Sequence, residues 1–228
     1  MIENIDLIES LGSKELTDLS KDILEVGLDS VLKDGLLKEI PIIGSVINVF
    51  NLSKKIKESF EASKILKFLI AVEGIPQEKI DQFKEKLEND KTRNYVGGQI
   101  LLIIARLNEI DKATSIGKLF KLYIENGITQ SDFFRLSHMI SDAFLDDFVV
   151  LEMYTQAPHI RRDINRGVRI QQLHKIGLYD QKVQLNTIKK LSKAENEQRL
   201  KVDYMLNRFG TIVQDLYMEL KKTNNNKP

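Results

Sequence analysis

Three arginines late in the chain, Arg162, Arg166 and Arg169, recur at i, i+4 and i+7, with Arg161 and Lys175 nearby. On a helix this spacing puts the three guanidinium groups on one face. A guanidinium carries a planar fork of N–H donors, so such a face can reach successive phosphates or base edges. Nucleic acid or an acidic protein surface is the partner this chemistry fits. Ile160, Ile164 and Val168 fall on a separate apolar stripe. The plainer alternative is a solvated face that pairs with acidic residues of the N-terminal part of the chain.

A second constellation is His138, Asp142 and Asp146, at i, i+4 and i+8, with Asp147 beside them. One imidazole and two carboxylates on one helix face are a possible divalent-metal set. A single helix rarely closes such a site, so a solvated or salt-bridged face is expected and no metal is assigned. His159 and His174 are isolated and are expected to serve local hydrogen bonding. The Gly97-Gly98 pair is read as preceding a helix, where backbone N–H groups can meet an anion. No phosphate-cradling glycine loop with its lysine, no HExxH and no GxSxG is present. Catalytic residues and cofactors are therefore not expected. The chain contains no cysteine, which excludes disulfides, thiolate metal sites and a cysteine nucleophile.

The elements that must carry these groups read as helices almost throughout. The chain has 228 residues, 42% apolar and 29% charged, enough to bury a sizeable core. Residues 4–33 show helical spacing with a break near Gly12, and residues 46–69 describe a long helix ended by Gly74 and Pro76. Pro76 opens another helix through Ile80, Phe83 and Leu87. Residues 99–107, QILLIIARL, are apolar on nearly all sides, which predicts a helix surrounded by others. Leu101, Leu102, Ile103, Ile104 and Leu107 are therefore assigned to the main core. The run Glu125-Asn126-Gly127 predicts a helix stop, and Thr129 or Ser131 a cap for the helix that follows. After Pro158 come a basic helix to Lys175, β-leaning fragments around Val183 to Ile188 and Val202 to Leu206, and a last helix from about Arg208. The tail KKTNNNKP is expected to be disordered.

Charge is divided unevenly. Residues 151–228 carry 15 Lys and Arg against 8 Asp and Glu, whereas residues 1–150 carry 19 against 25. The expected organisation is an α-helical bundle over 1–156, a basic module over 157–220 and a tail over 221–228. The segment IPIIGSVINVFNL, residues 40–52, is shorter than the roughly 20 residues of a spanning helix. Followed by Lys54, Lys55 and Lys57, the stretch 36–57 nevertheless has an interfacial membrane reading, against the ordinary one of a core helix in which Gly44 permits close packing. The acidic N-terminus lacks the basic and apolar regions of a signal peptide, so a cytoplasmic location is expected.

Two stretches resemble known families. DGLLKEIPIIGS, NDKTRNYVGG and IGKLFKLYIENGIT, within residues 34–127, resemble an uncharacterised bacterial family of helical proteins, which brings no site residues with it. LHKIGLYD (173–180) and VDYMLNRFGTIVQDL (202–216) resemble the closing half of a winged-helix domain. There, a recognition helix ends in Leu-x-x-x-Gly-Leu, matched by Leu173, Gly177 and Leu178. The second wing strand enters a helix through Leu-Thr-x-x-Gly, approximated by Leu206, Asn207 and Gly210, with Asn where Thr is usual. The resemblance implies a small α+β module; only one clear helix precedes Pro158 where two are required. The expected fold is thus mainly α, a helical bundle followed by a winged-helix-like module. The function this supports is a non-enzymatic regulatory or adaptor protein, with a second copy of the chain among the partners considered. A membrane-associated effector using residues 36–57 is the alternative.

Overall fold

The structure, a computed structural model, describes residues 7–27, 55–154, 164–188 and 197–225. It is mainly helical, with one two-stranded antiparallel sheet near the C-terminus among the described residues. The apolar stretch 40–52, most of the interfacial segment 36–57, Arg161, Arg162 and His159 lie outside the described residues. No described helix is long and apolar enough to cross a membrane. By contacts the chain divides into residues 1–141 and 142–228.

In the first unit, α1 (Lys14–Val26) starts where Ser13 Oγ accepts from Leu16 N at 3.2 Å. Leu16, Ser20 and Ile23 form its buried stripe. Next come α2 (Lys55–Val72), α3 (Gln77–Lys86), α4 (Asp90–Arg106), α5 (Ile110–Ile124) and α6 (Gln130–Asp142). Helix α4 is buried on most sides, as its composition predicts: Leu101, Ile103, Ile104 and Leu107 are in the core. Leu102 departs from the expectation and is only half-buried. Helices α2 and α5 approach so closely that a Cβ on Gly117 would lie 2.7 Å from Phe68 O.

The centre of this unit is a cluster of rings. Phe83 packs edge-on against Phe120 and Tyr123, with centroids 5.6 and 5.1 Å away, and Tyr123 stacks on Phe133 at 5.6 Å. Residues 7–11 close one side through buried Leu7, Ile8 and Leu11. Polar contacts hold that segment: Lys84 Nζ donates to Glu9 O at 2.9 Å, and Arg93 pairs with the Glu9 carboxylate at 2.8 Å.

Two fully buried lysines close helix ends. Lys64 Nζ donates to Ala105 O at 2.9 Å and Leu107 O at 3.1 Å, at the end of α4, and pairs with Glu61 at 2.9 Å. Lys112 Nζ donates to Ser141 O at 2.9 Å in the last turn of α6 and to Asn108 Oδ1 at 2.6 Å, and pairs with Glu109 at 3.2 Å. The final carbonyls of a helix have no intrahelical donor, and the negative end of its dipole favours a cation. Each lysine answers both needs from a neighbouring helix.

The second unit runs from a 3-10 turn (Leu145–Phe148) into α7 (Val149–Tyr154), α8 (Ile164–Lys175), β1 (Tyr179–Ile188), β2 (Glu197–Leu206) and α9 (Arg208–Asn225). The turn and α7, which the sequence reading attaches to the bundle, pack here on α8 and α9. Phe148 meets Tyr217 edge-on at 6.1 Å, Gln214 Nε2 donates to Leu151 O at 2.5 Å, and Lys221 pairs with Glu152 at 2.5 Å. The hairpin register matches Tyr179 with Leu206 at its root and Ile188 with Glu197 at its far end.

Three sequence expectations are corrected by these boundaries. Residues 221–225 of the tail expected to be disordered continue α9 as helix. Helix α6 ends at Asp142 and Asp146 belongs to the 3-10 turn, so His138, Asp142 and Asp146 do not share one helix face. Gly97 and Gly98 are buried inside α4, whose N-terminus is capped by Asn89 accepting from Thr92 N at 3.0 Å. They form no N-terminal anion site.

Candidate nucleic-acid interface

The candidate surface is built on α8, and the way α8 ends fixes which side of it faces out. Gly177, at φ 91°, is the left-handed residue after the helix. Gly177 N donates to His174 O at 2.9 Å and Leu178 N to Leu173 O at 2.9 Å, the pair of bonds of a Schellman motif. Leu173 and Leu178, at the two positions whose apolar contact usually accompanies this motif, are both buried. His174 Nδ1 donates to Tyr179 O at 2.7 Å, and its ring meets Tyr204 edge-on at 5.4 Å. This histidine serves local hydrogen bonding, in line with the sequence reading.

The second phrase locks onto the first. Asn207 Oδ1 accepts from Gly210 N at 3.0 Å and caps α9, while its Nδ2 donates to Gly177 O at 2.9 Å and Asp180 Oδ1 at 3.2 Å. Asn207 N donates to Leu178 O at 3.2 Å. A Cβ at Gly210 would come within 2.2 Å of Leu178 O, so only glycine fits there. An amide side chain, unlike threonine, can cap the helix and bond the preceding turn together. The departure from the usual phrase thus has a structural use.

With Leu173 turned inward, Arg169 four residues earlier shares its side of the helix. Arg169 is half-buried and faces the 3-10 turn: its Nη1 donates to Asp146 O at 3.1 Å, and its Nε lies 3.8 Å from Asp147 Oδ1. Burial pushes the Asp147 carboxyl above its ordinary value; Arg169 opposes the shift and Asp146 adds to it. Arg166 lies in the first turn of α8. Lys175 is exposed in the last turn, and six residues beyond Arg169 it is rotated by about 240°, so it does not join the arginine face.

The outward row of α8 is a different set: Val168, Gln171, Gln172 and Lys175, all exposed and spaced i, i+3, i+4 and i+7. Val168, which shares an apolar stripe with Ile160 and Ile164, is 51% exposed. The signal that identifies this row is Leu173, because the Leu-x-x-x-Gly-Leu phrase marks the inward side from which the outward one is counted.

The boundary between the units also moves three acids, Asp142, Asp146 and Asp147, to the basic side. Residues 142–228 carry 15 Lys and Arg against 11 Asp and Glu, and residues 1–141 carry 19 against 22. The asymmetry is smaller than a division at residue 150 gives. No group of three His, Asp or Glu among the described residues is arranged to hold a metal ion. No protein-family model, curated protein or solved structure matches this chain.

Proposed function

We propose that this chain is a non-enzymatic regulatory or adaptor protein whose C-terminal unit binds nucleic acid through the exposed side of α8. The observation that carries the reading is the outward row Val168, Gln171, Gln172 and Lys175 on a helix held at its C-terminal end by a Schellman motif and a hairpin. A helix with its side chains fits the B-DNA major groove, about 12 Å wide. A glutamine amide offers one acceptor and two donors and can pair with adenine N6 and N7, and a valine methyl can meet the thymine methyl. Lys175 suits a phosphate. The order helix, helix, hairpin, helix in residues 149–225, with one phrase matched and the other approximated, supports a winged-helix-like module.

Fluorescence anisotropy of a labelled duplex at several salt concentrations tests this. Wild type should bind at low salt with affinity falling steeply as salt rises. Lys175→Ala should flatten the slope of log K against log salt by about one. Gln171→Ala with Gln172→Ala should weaken binding to A·T-containing sites and leave the slope unchanged. The triple change of Arg162, Arg166 and Arg169 to Ala should weaken binding to all sequences. Absence of wild-type binding at low salt overturns the reading, and the surface then belongs to a protein partner.

A further inference from the structure

We infer that the acidic 3-10 turn is an electrostatic latch on α8, holding Arg169 away from a polyanion until phosphate displaces it. The inference rests on the nucleic-acid reading of α8 and concerns how that surface is regulated. Its basis is the pairing of turn and helix within one unit. Arg169 spends one N–H on the carbonyl of Asp146 at 3.1 Å and faces the Asp147 carboxylate at 3.8 Å.

The second distance is too long for a hydrogen bond, so the carboxylate neutralises the guanidinium without engaging its fork. A phosphate can engage the fork through two parallel bonds, the arrangement that makes arginine a strong phosphate ligand. The turn therefore offers Arg169 a weak substitute for its better partner. The carboxylates of exposed Asp146 and half-buried Asp147 also lie well within a Debye length of α8, about 10 Å at 0.1 M salt, and repel an approaching phosphate. Asp147 keeps its charge at some cost, because burial disfavours the ionised form and Asp146 stands next to it in sequence.

The test uses the full chain, duplex DNA in anisotropy titrations, and elution from a heparin column as a polyanion without bases. Asp147→Asn, with Asp147→Ser as a second neutral variant, should tighten DNA binding about fivefold at low salt and steepen the salt slope by about one. Both should elute from heparin at higher salt than wild type. Asp215→Asn, which removes an equal charge from an exposed position of α9 in the same unit, should have a smaller effect. In an Arg169→Ala background, the effect of Asp147→Asn should shrink to that of the Asp215 control, since the latch has nothing left to hold. Equal effects of the two aspartates, no effect of Asp147→Asn, or weaker binding by that variant would each overturn the latch. If neither wild type nor variants bind DNA, the nucleic-acid reading fails, and the heparin comparison still decides the latch.

Discussion

Replacing Lys64 by methionine isolates what a buried ammonium does for the bundle, because methionine keeps most of the apolar stem and removes the charge. Lys64 is fully buried and its Nζ has three partners, Ala105 O at 2.9 Å, Leu107 O at 3.1 Å and the Glu61 carboxylate at 2.9 Å. The variant leaves two carbonyls at the end of α4 without their donor, at about 1–3 kcal/mol each if they stay dry. It also strands a carboxylate whose side chain is only 14% exposed. Breaking a buried ion pair costs about 3–5 kcal/mol, and these penalties overlap because they describe one group, so the expected loss is about 3–5 kcal/mol. Urea unfolding followed by circular dichroism reads the loss. Hydrogen exchange of peptides from α2 and α4 assigns it to the bundle, since a chain of two units need not unfold in one step. Lys64→Met with Glu61→Gln should recover about 2 kcal/mol, because no uncompensated charge then remains. A loss under about 1 kcal/mol for the single variant, or no recovery in the double, would refute the claim that Lys64 closes α4 electrostatically.

Three further outcomes follow from named contacts. Gly117→Ala should destabilise the bundle by about 1–3 kcal/mol in the same assay, despite alanine's better helix propensity, because its Cβ would lie 2.6 Å from Ala71 Cβ and 2.7 Å from Phe68 O. Asn207→Ala should cost about 2–3 kcal/mol and raise exchange in residues 173–180, since it removes both the cap of α9 and the bond to Gly177 O at 2.9 Å. Burial raises the Tyr123 phenol above 10.0, so the unfolded phenol ionises first and stability falls as pH climbs past about 10. Tyr123→Phe should reduce that alkaline loss, measured as melting temperature between neutral pH and pH about 11; an unchanged slope would show that the phenol does not contribute.

Much of the helical architecture was legible because it rests on local signals. The all-round apolar run of α4 announced burial, and Thr129, which accepts from Asp132 N at 3.1 Å, was one of two caps foreseen for α6. The stop after α5 was also foreseen, but Asn126 at φ 61° takes the left-handed position in place of Gly127. An asparagine tolerates that conformation through its short polar side chain, and Gly127 N then donates to Leu122 O at 2.8 Å. The hairpin was only glimpsed in fragments, since its ladder pairs Tyr179 with Leu206 and gains its order from a partner distant in sequence. Lys64 and Lys112 could not be placed inside by composition, lysine being among the residues least often buried. Their common trait is a glutamate three residues earlier, Glu61 and Glu109, a spacing that also occurs on solvated helices. Three arginines imply a stripe, but Leu173 sets which stripe looks outward, and Arg169, four residues before it, is half-buried.

The direction in which α8 faces decides where function can reside. Groups whose polar atoms are consumed in closing secondary structure have little left to offer a ligand: Lys64 and Lys112 end α4 and α6, Asn207 begins α9, and His174 ties α8 to Tyr179. Arg169 belongs partly to this class, since the 3-10 turn already holds one of its donors. Remove these, and the described polar side chains of α8 that remain exposed are Gln171, Gln172 and Lys175. Two neutral amides beside one cation are a poor way to attract a polyanion from a distance, but a good way to discriminate at contact. Long-range attraction must then come from charge around the row, and the acids of the 3-10 turn lower it. A surface built this way favours selectivity over affinity, so its partner should be found by varying sequence as well as salt.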